Sequence, residues 1–285
     1  MDYLLGLGSN LGSRAANIAV GLELLEATLT CKVTRISPIY ESEPVGPPQP
    51  HYLNAAARLE STHSPRALLA RLHAIEALLG RTRQQRWTAR TLDLDVLWAS
   101  DPVHDEVLEI PHPQLPERWF ALRPMLDVAP ELATDYAPRL HELHPAPIAT
   151  WTSTPEAQLE AQGSTLVITG RAADAADALS AALGAIGEHL GGGERLSADV
   201  AAHRIVASGA PGQELAAFSS AVLDALARGH RFARVTLDEL APGRTVGRML
   251  GSPLTSHSAA HAPPPALQLC SAEFQRGALR LVLRR

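Results

Sequence analysis

Lysine is almost absent from this chain. Lys32 is the only one among 25 basic residues, and the rest are arginine. A Walker A loop needs Gly-Lys-Ser/Thr and a protein-kinase site needs its own positioned lysine, and C-K-V-T-R-I supplies neither context. Any triphosphate handled here is therefore handled with arginines and metal. Cysteine is nearly as scarce. Cys31 and Cys270 stand far apart without metal-ligand spacing, which argues against a disulfide scaffold and for a reducing compartment. No segment approaches 18 continuous apolar residues, and the first ten residues have neither a basic start nor a long apolar stretch, so a cytoplasmic location without a membrane span is expected. A net charge of −5 offers no broad surface for nucleic acid or membrane.

What is present is concentrated between Gly80 and Trp98. R-T-L-D-L-D-V-L-W reads as a strand, whose period of two places Asp93 and Asp95 on one face and Leu92, Leu94 and Val96 on the other. At a rise of about 3.3 Å per residue the two carboxylates are roughly 7 Å apart at Cα, within reach of one shared divalent ion or a pair. Hard oxygen ligands suit Mg²⁺, which takes one or two carboxylates and fills its shell with water and phosphate. By itself, D-x-D on a strand is more often just a solvent-facing pair. Immediately before it, Arg81, Arg83, Arg86 and Arg90 crowd a loop with no helical period to arrange them. Guanidinium forks match phosphate oxygens bidentately, and the acids would hold the metal that the same phosphates need. Together they describe a nucleoside triphosphate site.

The 285 residues allow two domains. In the first, strands are expected over 3–7, 32–41 (with Pro38 at an edge or bulge) and 52–59, with helices over 14–29 and 65–79. Ser64 and Pro65 are placed as N-cap and first helical residue of the second helix, and Gly80 ends it. E-S-E-P-V-G-P-P-Q-P-H is a proline-rich loop. The Asp strand, a further strand before I-P-H-P and a helix over 117–126 follow. The order β-α-β-β-α-β describes an α+β, ferredoxin-like antiparallel sheet with helices on one face. Residues 1–145 form this domain, 146–157 a linker and 158–285 a second, smaller α/β domain.

Five motifs in order resemble the 6-hydroxymethyl-7,8-dihydropterin pyrophosphokinase family: G-L-G-S-N-L-G (6–12), P-V-G with Y-L-N-A-A (44–46, 52–56), G-R-x-R (80–83), R-W-x-x-R-T-L-D-L-D (86–95), and I-P-H-P with R-x-F (110–113, 118–120). The resemblance covers about half the chain. It implies transfer of the β,γ-pyrophosphoryl group of ATP to the pterin's hydroxymethyl oxygen, with release of AMP. It implies that Asp93 and Asp95 hold two Mg²⁺ ions and that Arg81 and Arg90 act in catalysis with them. Glu76, Arg83, Trp87, His112 and Arg118 are implied on the ATP side. Tyr52 and Phe120 are implied to sandwich the pterin ring, Asn54 to pair with its edge, and Ser42 and Val45 to supply loop contacts. Without the resemblance, Tyr52 and Phe120 would read as core aromatics and Gly8, Ser9 and Gly12 as turn residues, and the latter three are assigned no ligand. Asn54 within a strand is harder to explain away, because a buried amide must find partners.

Three positions depart from the family pattern. Thr88-Ala89 replaces a frequent Gly-Pro before Arg90, D-E-V-L-E-I lacks an arginine that some relatives carry, and Trp119 stands where a small residue is frequent, with crowding of the pterin pocket as the expected consequence. The second domain resembles archease, an accessory protein of RNA ligation, in its element order more than in motif. No Asp appears at 160–165, where that family's acidic metal motif should fall, and its C-terminal Asp should fall near Arg284, which implies a structural or partner-binding role. The alternative for the whole chain is a pterin or nucleotide sensor with a drifted catalytic loop. The expected partners are ATP and a reduced pterin.

Overall fold

Tyr3, Leu4, Leu5 and Leu7 are all buried and form the centre of strand β1 (Asp2–Ser9). The computed structural model describes residues 1–81, 88–105, 108–140, 142–143, 149–151, 155–191, 196–197, 199–228, 230–251 and 267–284. It divides into two units, Met1–Thr152 and Ser153–Arg285.

In the first unit, α1 (Arg14–Glu26) follows β1, then β2 (Cys31–Ile36), β3 (Ile39–Ser42), β4 (Tyr52–Ser61), α2 (Pro65–Leu78) and β5 (Asp93–Ala99). The antiparallel sheet runs β5-β1-β4-β3-β8, where β8 is Ala149–Trp151 and β2 also pairs with β4. The strand expected over 32–41 is split at Ser37-Pro38. Proline cannot donate to the ladder, and the Ser37 hydroxyl accepts the Ala56 N–H at 2.9 Å where regular pairing lapses. β6 (Val103–His104) and β7 (Glu109–Ile110) make a separate small ladder before α3 (Trp119–Val128) and α4 (Ala133–Leu140).

The sheet's two faces are used differently. Leu5, Leu7, Leu94 and Val96 point toward α1 and α2, and Leu92 packs so closely on α1 that a Cβ at Gly21 would stand 2.7 Å from its Cδ2. On the other face, α3 covers only one end, where Leu4, Ala56 and Leu97 meet Leu122 and Met125. Among the described residues, no helix covers the opposite end of that face, which forms an open floor. α3 therefore lies across the sheet from the two expected helices, and it runs through Pro124 unbroken.

The second unit contains β9 (Glu156–Gln162), β10 (Thr165–Arg171), α5 (Ala175–Gly191), β11 (Ala201–Ser208), α6 (Glu214–Ala227), β12 (Arg234–Ala241), β13 (Arg244–Gly251), β14 (Gln268–Gln275) and β15 (Ala278–Arg284). Its sheets β14-β15-β10-β9 and β11-β13-β12 enclose both helices, with Ile168, Leu183, Phe218, Val235 and Leu281 in one core. β9 and β13, with β8 and α4 of the first unit, lie where the sequence pattern placed no element. β9 reads E-A-Q-L-E-A-Q, with too little apolar contrast to show its alternation, β13 carries an interior glycine at 247 and ends on another, and α4 contains Pro138. The stretch expected as linker supplies β8 and the first residues of β9. Among the described residues, no helix is long and apolar enough to cross a membrane.

Candidate active site

The open floor is made of glycine. Across β1, Gly8 stands opposite Asp93 on one side and Asn54 on the other, and Gly6 stands opposite Asp95. The absent side chains leave the acids and the amide facing one space. A cleft there is lined by Ser42, Val45, Tyr52, Asn54, Arg90, Asp93, Asp95, His112, Arg118 and Phe120. Ten expected residues, nine of them from three separate motifs, thus converge. Arg83 and Trp87 lie outside the described residues.

Arg81 is aimed by the end of α2. Gly80, at φ 92°, takes the left-handed turn that closes the helix, and the Arg81 N–H then bonds the Glu76 carbonyl at 2.9 Å. That Schellman geometry brings the Arg81 guanidinium onto the Glu76 carboxylate. It also reaches Asp93 Oδ1 at ion-pair distance, although that oxygen has no aligned hydrogen bond. Arg90 pairs with the other oxygen of Asp93. Two arginines thus share one carboxylate.

Glu76 is only 1% exposed, and its Oε1 also accepts the Leu94 N–H at 2.8 Å. It sits beneath the cleft and not in its lining, so its place is that of an anchor for Arg81 and β5, where nucleotide contact was expected. Three carboxylates in one desolvated region penalise charge. Desolvation, then the charges of Asp93 and Glu76, push Asp95 up to about 7, against the pull of Arg81 and Arg118. Two alternating carboxylates, one of them desolvated, with room for phosphate and water, fit Mg²⁺.

His112 follows the β7 turn. Its Nδ1 accepts the Gln114 N–H at 3.2 Å, which leaves the proton of the neutral ring on Nε2 as a donor. Desolvation, with Arg118 nearby, holds its pKa below the ordinary value and keeps the ring neutral. Arg118 lies 5.8 Å from the Phe120 ring centroid, placing a cation beside the aromatic wall. Asn54 Nδ2 donates to Ser42 Oγ at 2.8 Å, so Ser42 fixes the amide's orientation. Burial raises the Tyr52 hydroxyl's pKa. Trp119 does not line the cleft. It packs edge-on against Tyr40 at 5.6 Å, so the expected crowding of the pocket does not occur.

Asn10 and Gln49 were not anticipated. Asn10 is 1% exposed, accepts the Arg90 N–H at 2.6 Å and donates to Gln49 Oε1 at 3.0 Å and the Pro50 carbonyl at 3.1 Å. It joins the arginine loop's exit to the proline loop. Ser9 Oγ adds a 2.6 Å bond to the Thr91 carbonyl. The signal available was a polar side chain inside G-S-N-L-G, read there as a turn.

Residues 4–130 match the family model described as 7,8-dihydro-6-hydroxymethylpterin-pyrophosphokinase. Three relatives carry the name 2-amino-4-hydroxy-6-hydroxymethyldihydropteridine pyrophosphokinase. The protein of Methylorubrum extorquens is 42% identical over 130 residues, 45% of this chain and 82% of the relative. That of Synechocystis is 40% identical over 129 residues, 45% of this chain and 66% of the relative. That of Pseudomonas aeruginosa is 39% identical over 139 residues, 48% of this chain and 86% of the relative.

Proposed function

The chain belongs to the 7,8-dihydro-6-hydroxymethylpterin-pyrophosphokinase family, and from that premise we propose how its own residues carry the reaction. The activity is transfer of pyrophosphate from ATP to the hydroxymethyl group of the reduced pterin in folate biosynthesis. The pterin oxygen attacks the β-phosphorus, the bond between that phosphorus and the α,β-bridging oxygen breaks, AMP departs, and the hydroxyl proton is released.

The observation that carries the assignment is the pairing of Asp93 and Asp95 on a glycine floor with Arg81, Arg90, His112 and Arg118 around them. Asp93 and Asp95 are the residues to hold Mg²⁺, two ions in our reading. When bound, the metal supplies neutralisation of triphosphate oxygens and a lowered pKa for the attacking hydroxyl. Arg81 and Arg90 neutralise Asp93 in the ligand-free protein and have the fork geometry to exchange that carboxylate for phosphate oxygens. His112 Nε2 and Arg118 add donors on the same side. Arg83 and Trp87 are assigned to the nucleotide on resemblance alone. Tyr52 and Phe120 stack the pterin, with Asn54 on its polar edge and Ser42 and Val45 at the loop. Such transfers depend mainly on alignment and charge stabilisation, which these groups provide without a protein nucleophile.

A sensor reading is not favoured, because both acids stay with Arg81 and Arg90 in one cluster. For the second unit we propose a binding role without chemistry of its own. The assignment is tested with Asp95→Asn in the full chain. The variant should bind pterin but lose Mg²⁺-dependent turnover by at least roughly a hundredfold, as expected when a charge-stabilising group is removed. Undiminished turnover would remove Asp95 from the mechanism.

A further inference from the structure

Arg14 is placed against the usual rule for helices. It is the first residue of α1, where the positive end of the helix dipole disfavours a cation, and the first turn holds no acid to offset it. Its guanidinium turns away from the helix. Nη1 donates to Glu41 Oε1 at 2.9 Å and to the His51 carbonyl at 3.0 Å, and the Arg14 and Glu41 side chains are only 16% and 20% exposed. The His51 Nδ1 lies 3.9 Å from the same Glu41 oxygen.

Glu41 and His51 are the two stems of the proline-rich loop. Glu41 precedes Ser42, the last residue of β3, and His51 precedes Tyr52, the first of β4. Between them stand Pro44, Pro47, Pro48 and Pro50, each with φ locked by its ring. The limbs from Glu41 to Val45 and from His51 to Gln49 each hold a proline, so movement of the stems is carried to Val45 and Gln49 in the cleft wall, with Gly46 (φ 106°) turning between them. Asn10 holds the returning limb from inside, so Arg14 sets the loop's position without being needed to keep it attached.

We infer that Arg14 is a positioning residue for pterin binding, acting by clasping Glu41 and the His51 carbonyl and so fixing the loop at 43–51. The identity of the ligand rests on the function proposed above, but the clasp does not. A local rule broken at a partly buried residue, with its compensation across the fold, is the pattern of a functional constraint.

The test uses the full chain with Arg14→Ala, Arg14→Lys and Glu41→Gln. Arg14→Ala should raise KM for the dihydropterin about tenfold, the loss of one charge-assisted contact, while KM for ATP stays within about twofold. Arg14→Lys should recover part of the loss, and Glu41→Gln should reproduce it in part. Hydrogen exchange without substrate reads the clasp directly. Amides in 43–52 should exchange faster in Arg14→Ala, and those of β1 and β5 should not. An unchanged pterin KM, or both KM values and the melting temperature moving together, would overturn the inference. So would unaltered exchange over 43–52. If the unsubstituted chain formed no AMP, the functional reading would fail and exchange alone would judge the clasp.

Discussion

Gly8 and Asp93 are direct cross-strand partners, and the missing side chain of the one opens the space into which the other faces. A Cβ at Gly8 would meet Asn54 Oδ1, Tyr52 Cδ1 and Asp93 Cβ at 3.6, 3.6 and 3.7 Å, all ordinary contacts. Gly8→Ala should therefore fold with a melting temperature near that of the parent. Its methyl group stands on the cleft floor, so ligand affinity should fall by about tenfold or more, roughly the effect of misfitting one bound group. Calorimetric titration with pterin, beside a thermal melt, separates the two effects.

Glu76→Gln removes the anchor of Arg81 and one of the charges that raise Asp95. Turnover should fall because Arg81 loses its buried anchor and is held by Asp93 alone among the carboxylates described around it. The acid limb of the pH–rate profile should also move to lower pH, since the Asp95 carboxyl then ionises more readily. A limb that stayed in place, or moved upward, would mean that Glu76 does not act on Asp95.

Asp95 also makes metal-free stability depend on pH. Its pKa is about 7 in the folded chain against an ordinary 3.8, so between those values the native state holds the proton that the unfolded state has released. Its contribution is full below 3.8 and is lost as pH rises through about 7. The melting temperature without divalent ions should show that loss, Asp95→Asn should flatten it, and Mg²⁺ should stabilise the parent most at the alkaline end. A metal-free melting temperature unaffected by Asp95→Asn across this range would contradict the account.

Much of this site was legible because its chemistry is periodic or local. D-L-D on a strand dictates one face, and Ser64-Pro65 with Gly80 marks both ends of α2, with the Ser64 hydroxyl accepting the Ala67 N–H at 3.4 Å. What stayed hidden depends on tertiary neighbours. The resemblance marks Glu76 as a site residue, but its hold on the Leu94 N–H and on Arg81 exists only once the fold brings them to it. Asn10 reads as a turn until Arg90 and Gln49 arrive from 80 and 39 residues away. The placement of Trp119 against Tyr40 depends on α3 choosing the face opposite α1, which no local pattern specifies.

Tyr40 holds α3 to the sheet through a 2.7 Å bond from its hydroxyl to Asp127 Oδ2. Tyr40→Phe should destabilise the first unit by about 1.5 kcal/mol, as for a hydrogen bond to a charged acceptor, and leave both KM values unchanged. Denaturant melts and steady-state kinetics check the pair of outcomes.

In the second unit, a Cβ at Gly247 would stand 2.5 Å from the Thr236 carbonyl oxygen and 2.6 Å from Phe218 Cζ. Backbone on one side and a buried ring on the other leave no room to yield. Gly247→Ala should cost about 3 kcal/mol or more, the upper range for overpacking, seen as a lowered unfolding transition by calorimetry. Pterin turnover measured below that transition should be unaffected.

The most direct measurement is the fate of phosphorus when the full chain meets ATP, Mg²⁺ and 6-hydroxymethyl-7,8-dihydropterin. Followed by phosphorus NMR, the account requires AMP and a pterin diphosphate in equal amounts, formed only with pterin present and lost in Asp95→Asn. ADP with a pterin monophosphate would contradict it, because a single phosphoryl group would then have moved.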